Sequence, residues 1–161
     1  MAQLIPAVFR DLVTRLHREP AVQDALFELP RKNWFIPNPA GPDMGVRFHG
    51  RRAGNPSGPA AGPHTQMAQN ILLSYLAGGR IIELKTVQEN DRLTIPRPCI
   101  DIPNVGYNIE WSQELSIDDS LREYVAGAML IEMFRRDPEL GRKTHKGPAG
   151  DALFDLSLIH I

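Results

Sequence analysis

The chain has 161 residues, a formal net charge of −1, 14 prolines, 13 glycines and one cysteine. That length suits one ordinary domain, and the near-neutral balance gives no footing for a nucleic-acid or anionic-membrane partner. A single cysteine excludes an intrachain disulfide framework and fits a reducing, cytoplasmic setting, and no apolar run approaches the length of a membrane span.

The opening MAQLIPAVFRDL lacks the basic stretch of a signal peptide. Residues 4–18 predict an amphipathic helix: Leu4, Val8, Leu12 and Leu16 recur every fourth position, with Phe9 beside them and Arg10, Arg15 and Arg18 facing away. A second short helix is expected over about residues 21–27, stopping before Pro30. His17, among arginines, reads as a surface residue. Residues 33–54 are irregular, with a strand and hairpin expected around residues 45–49; the adjacent Arg51 and Arg52 read as surface side chains. Residues 1–54 thus form an N-terminal helical and hairpin segment.

The stretch NPSGPAAGPHTQMAQNILLSYLAGGRIIELKT, residues 55–86, carries the organisation. Residues 59–61 predict a short strand running into the Gly62-Pro63 turn. Thr65 is expected to cap a helix carrying Met67, Ile71, Leu72 and Leu76, and Gly78-Gly79 to end it. Residues 80–86 follow as a second strand, so the unit reads as a right-handed parallel βαβ. Ligands on such units sit at the carboxyl ends of the strands, here Ala60-Ala61-Gly62 and Lys85-Thr86. Alternation places Ile81, Glu83 and Lys85 on one face. An acid and a base on a parallel strand imply either a structural Glu83–Lys85 ion pair or a cationic contact to an anionic ligand. A P-loop is excluded: no lysine follows Gly62, and Pro63 lacks the backbone donor a phosphate cradle needs. His64 is read either as a ligand contact or as a loop hydrogen bond.

Residues 88–105 form a long loop, and Cys99, with no CxxC companion, reads as structural. Ser116 followed by Asp118 and Asp119 signals a helix start, and Ile117, Leu121, Tyr124, Val125, Ala128 and Ile131 supply a stripe running to about Phe134. Residues 151–156 look like the opening of a third strand.

The motifs GPAAGPHTQMAQN, GGRIIELKTVQ, PRPCID and GYNIEWSQELS together resemble the selenate reductase flavoprotein-subunit family, a relative of dihydropyrimidine dehydrogenase and the dihydroorotate dehydrogenases. The resemblance spans about residues 55–134. It implies an α/β fold: the first βα units, residues 55–157, of a TIM (β/α)8 barrel of the dihydroorotate dehydrogenase-like FMN type. It implies FMN contacts from Ala60, Ala61, Gly62, Lys85 and Thr86, and a substrate contact from Asn108, whose amide suits a planar amide or imide. No catalytic residue falls within the chain; in the relatives the catalytic acid lies on a later loop. Trp111 departs from the expected leucine, which bears on the substrate. The parent is expected to be an FMN-dependent oxidoreductase that also carries FAD, iron–sulfur clusters and NAD(P)H, acts on a small-molecule substrate and works with other redox subunits. The alternatives are a dihydropyrimidine or dihydroorotate dehydrogenase-type enzyme and a small non-catalytic partner-binding protein. A full barrel needs about 250 residues, and the ending LSLIHI resembles a translated sequencing adapter. Residues 158–161 are therefore expected to be foreign to the protein and the chain to be a piece of a longer one.

Overall fold

The computed structural model describes residues 5–38, 40–88, 100–101, 107–108, 115–141, 145, 147–155 and 158–159. Cys99, Trp111 and residues 160–161 lie outside them.

Helix α1, Phe9–Val22, buries Leu12 and Leu16, with Phe9 packed partly against the same core. It runs through Pro20, so the expected second helix over 21–27 does not form. In its place β1 (Ala25–Leu26) and β2 (Leu29–Pro30) make an antiparallel hairpin. The cause is local: Asp24, Phe27 and Glu28 take positive φ of 50°, 47° and 70°, which a right-handed helix cannot contain. The Glu19 carboxylate accepts the Phe27 N–H at 2.7 Å and also pairs with Arg15, whose guanidinium lies 4.7 Å from the Phe27 ring centroid. The turn is thereby held from the helix side. A second hairpin, β3 (Val46–Phe48) with β4 (Arg51–Ala53), forms where one was expected. Arg52 pairs with Asp43 at 2.6 Å, and His17 with Asp137 at 3.2 Å.

Residues 57–61 lie alongside β5 (Ile81–Glu83), but only half of a ladder closes. Arg80 and Ile81 donate to Ser57 O at 2.8 and 3.0 Å, and Glu83 donates to Pro59 O at 3.2 Å. The reciprocal bond would need a donor on Pro59, which has none, so the strand expected over 59–61 is not a regular one. The approach is close: a Cβ on Gly58 would fall 1.5 Å from Ile81 O. Between the two segments comes α2, Ala68–Leu76, which ends as expected at the glycines: Gly78 takes φ +110° and Gly79 N–H bonds Ser74 O at 2.9 Å. Its start differs from the expectation. A 3₁₀ turn, Pro63–Thr65, precedes it, and the Thr65 hydroxyl bonds Gly62 instead of capping the helix.

Beyond β5, β6 (Val87–Gln88) follows, and β7 (Ile100–Asp101) pairs antiparallel with β8 (Tyr107–Asn108). Helix α3, Ile117–Arg136, is capped by Ser116, whose Oγ accepts the Asp119 N–H at 3.1 Å. The third strand arrives where expected, as β9 (Leu153–Asp155), parallel to β5 with Ile82 opposite Phe154. Leu158–Ile159, as β10, continues in parallel beside β6. Residues 57–61, β5 and β9 thus lie side by side in chain order, as the first strands of a βα barrel do, and no barrel closes among the described residues.

The core sits between α2 and α3. Ile71, Leu72, Tyr75 and Leu76 of α2 meet Leu130, Ile131 and Phe134 of α3, with Ile82, Leu84, Leu12 and Leu16 around them. The stripe expected on α3 mixes two faces. Ser120, Glu123, Tyr124, Gly127, Leu130, Ile131 and Phe134 are buried, whereas Ile117, Leu121 and Val125 are exposed together with Met129. At the amino end of β5 a polar group is buried in this core. Arg80, fully buried, donates through Nη1 to Tyr75 O and Gly79 O, both at 2.8 Å, and its guanidinium carbon stands 4.1 Å from the Tyr75 ring centroid. His145 packs against Tyr75 and Phe134 and bonds Phe35 O at 3.0 Å.

Candidate functional site

The carboxyl ends of the 57–61 segment and of β5 lie side by side, and the residues expected to contact a cofactor are distributed over both. Ala60 is exposed, Ala61 half-buried and Gly62 buried; Lys85 is only 3 % exposed and Thr86 half-buried. Lys85 Nζ donates to Thr86 O at 3.2 Å.

Glu83 has a role that neither sequence reading assigned: its Oε2 accepts the Ala61 N–H at 3.0 Å. The carboxylate completes the pairing that Pro59 interrupts and so ties the first strand end to the second. The Gly62 N–H goes to Thr65 Oγ1 at 3.2 Å, and the Thr65 hydroxyl donates back to Gly62 O at 3.1 Å. Both amides are thus engaged within the protein, so neither is available to cradle a phosphate.

Helix α3 bonds the start of α2 and the backbone just past β5. The Tyr124 hydroxyl donates to Lys85 O at 2.5 Å, and the Glu123 carboxylate accepts the Ala68 N–H at 2.7 Å at the start of α2. Burial raises the pKa of both groups; for Glu123 the Ala68 N–H opposes the rise. Sequence reasoning missed Glu123 as a site-supporting residue and placed Tyr124 in an apolar stripe. The available signal was the spacing 120, 123, 124, 127, which marks a second helix face. His64 is exposed, and its ring would lie 2.7 Å from a Cβ on Gly62.

Asn108 falls in the β7–β8 hairpin, opposite Ile100, and its side chain is outside what the structure describes. The two strand ends bring Ala60, Ala61 and Gly62 beside Lys85 and Thr86. Among the described residues, no helix is long and apolar enough to cross a membrane.

Parallel strand ends carrying small residues and a buried lysine, braced from a crossover helix, define the ligand-facing rim of a βα-barrel segment. The family model described as "Oxidoreductase YgfK, N-terminal TIM-barrel domain" matches residues 27–159, and the chain belongs to that family. It is 42% identical over 134 residues to "Putative oxidoreductase YgfK" of Escherichia coli (strain K12), and equally to the protein of that name from Escherichia coli O157:H7. Each match covers 81% of this chain and 13% of the relative, so the chain spans about an eighth of the length of the curated relatives it matches. No solved structure matches the chain.

Proposed function

We propose that the chain is the first part of the flavin-binding barrel of an FMN-dependent oxidoreductase, with Ala60, Ala61, Gly62, Lys85 and Thr86 against the flavin ring. The observation that carries this reading is Lys85: a cation 3 % exposed, at the carboxyl end of β5, beside a strand end of small residues. Bound FMN supplies the electron-transfer chemistry. Lys85 places positive charge where negative charge develops on reduction, Thr86 offers a hydroxyl, and the small residues leave room for a flat ring. Asn108 is assigned to the substrate.

In the longer protein, FAD, iron–sulfur clusters and NAD(P)H are proposed to pass electrons to or from this flavin, as in an electron-transferring subunit of a selenate reductase. A small-molecule substrate, partner redox subunits and a cytoplasmic location belong to the same reading.

Two variants of the full-length protein test it. Lys85→Ala removes the cation, and flavin reduction slows by on the order of 10²-fold if this contact resembles other charge-stabilising donors. Asn108→Ala leaves flavin content and flavin reduction intact and weakens substrate turnover. Stopped-flow reduction normalised to bound flavin decides the matter: a normal rate in Lys85→Ala overturns the assignment.

A further inference from the structure

Two consecutive residues of α3 reach two different loops. Glu123, 3 % exposed, takes the Ala68 N–H at 2.7 Å, at the first residue of α2. Tyr124, 6 % exposed, donates its hydroxyl to Lys85 O at 2.5 Å. Neighbours on a helix point about 100° apart, so one turn of α3 addresses both the start of α2 and the end of the second strand. Glu83, bonded to Ala61 N–H at 3.0 Å, links the two strand ends to each other. Segments 61–68, 83–85 and 123–124 thereby close a ring of contacts around the turn. Packing alone does not account for it, since a buried carboxylate costs more than an apolar side chain of similar size. Glu123 supplies what the start of α2 lacks: the N-cap Met67 gives no side-chain hydrogen bond, and the first amides of a helix have no partner within it.

We infer that Glu123 and Tyr124 are positioning residues that hold the turn before α2 and the backbone of Lys85 in register beneath the flavin. The inference rests on the flavin reading above. Tyr124 acts through Lys85, so its removal matters only while the Lys85 ammonium is there to be misplaced.

The test is a double-mutant cycle on the flavin midpoint potential of the full-length, flavin-loaded protein, measured by equilibration with a reference dye. Lys85→Ala is expected to lower the ratio of reduced to oxidised flavin roughly tenfold at a given potential, about 30 mV for a two-electron couple. Tyr124→Phe, which keeps the ring in the core, lowers it by roughly two- to fivefold, and the double variant matches Lys85→Ala alone. A second arm is independent of Tyr124: Glu123→Ala shifts the flavin absorption spectrum, and Glu123→Gln, which keeps an acceptor for Ala68 N–H, restores it. Tyr124→Phe with lowered thermal stability but an unchanged potential, additive shifts in the double variant, or a Glu123→Ala spectrum identical to wild type overturns the positioning role. A wild-type protein purified without flavin overturns the flavin reading itself, and with it the inference.

Discussion

His145 gives the structure a pH dependence that can be worked out in advance. Its ring is 1 % exposed, wedged against Tyr75 and Phe134, and it bonds Phe35 O at 3.0 Å. Burial, and next the neighbouring Arg80 guanidinium, hold its pKa down to about 4 from the usual 6.5. A base that is harder to protonate in the fold than in the unfolded chain leaves the unfolded state binding more protons between those two values. Stability is therefore whole above pH 6.5, falls as the solution is acidified, and reaches its floor below about pH 4. At about 1.36 kcal/mol per pH unit, the full loss is roughly 3 kcal/mol, of which roughly 2 kcal/mol is already gone at pH 5. Hydrogen exchange read by mass spectrometry on the full-length protein localises the effect. The free energy of opening at residues 34–38 and 145–155, corrected for intrinsic exchange, should drop by that amount between pH 7.5 and pH 5. His145→Gln keeps a side-chain N–H for Phe35 O and does not titrate, so its profile over the same interval should be flat. An identical slope in both proteins, or no slope in wild type, refutes the argument.

The close approach of Gly58 makes Gly58→Ala disruptive well beyond a usual surface change. A Cβ 1.5 Å from Ile81 O forces the first strand off β5. Thermal unfolding should show a loss above about 3 kcal/mol, comparable to the costlier core substitutions, and a loss under about 1 kcal/mol would contradict the pairing. Expressed alone, residues 1–161 should bind the dye ANS, because Leu121 and Val125 of α3 are 56 % and 50 % exposed and the sheets formed by the described residues have two strands each. A sharp cooperative transition in a monomer without dye binding would count against this.

The sequence by itself determined the elements with strong local causes. The α2 stop at Gly78-Gly79 needed only glycine's access to positive φ, and the α3 start needed only Ser116 and its following acids. The position of β5, and hence the strand end leading to Lys85 and Thr86, followed from Ile81-Ile82 after the glycine stop, and that of β9 from Leu153-Phe154 after a loop. What failed was decided by contacts that apolar periodicity does not register. The 21–27 helix gave way to a hairpin within a short span, where Asp24, Phe27 and Glu28 take positive φ and Glu19 holds the Phe27 N–H. Thr65 lost its capping role because the Glu123 carboxylate, 55 residues beyond Ala68, takes the Ala68 N–H. The α3 stripe split because its inner face was chosen by α2, not by hydrophobicity, which buried Glu123 and left Leu121 outside. Periodicity ranks faces by apolar content; only the packed structure shows which face has a neighbour, and which buried polar group that neighbour needs.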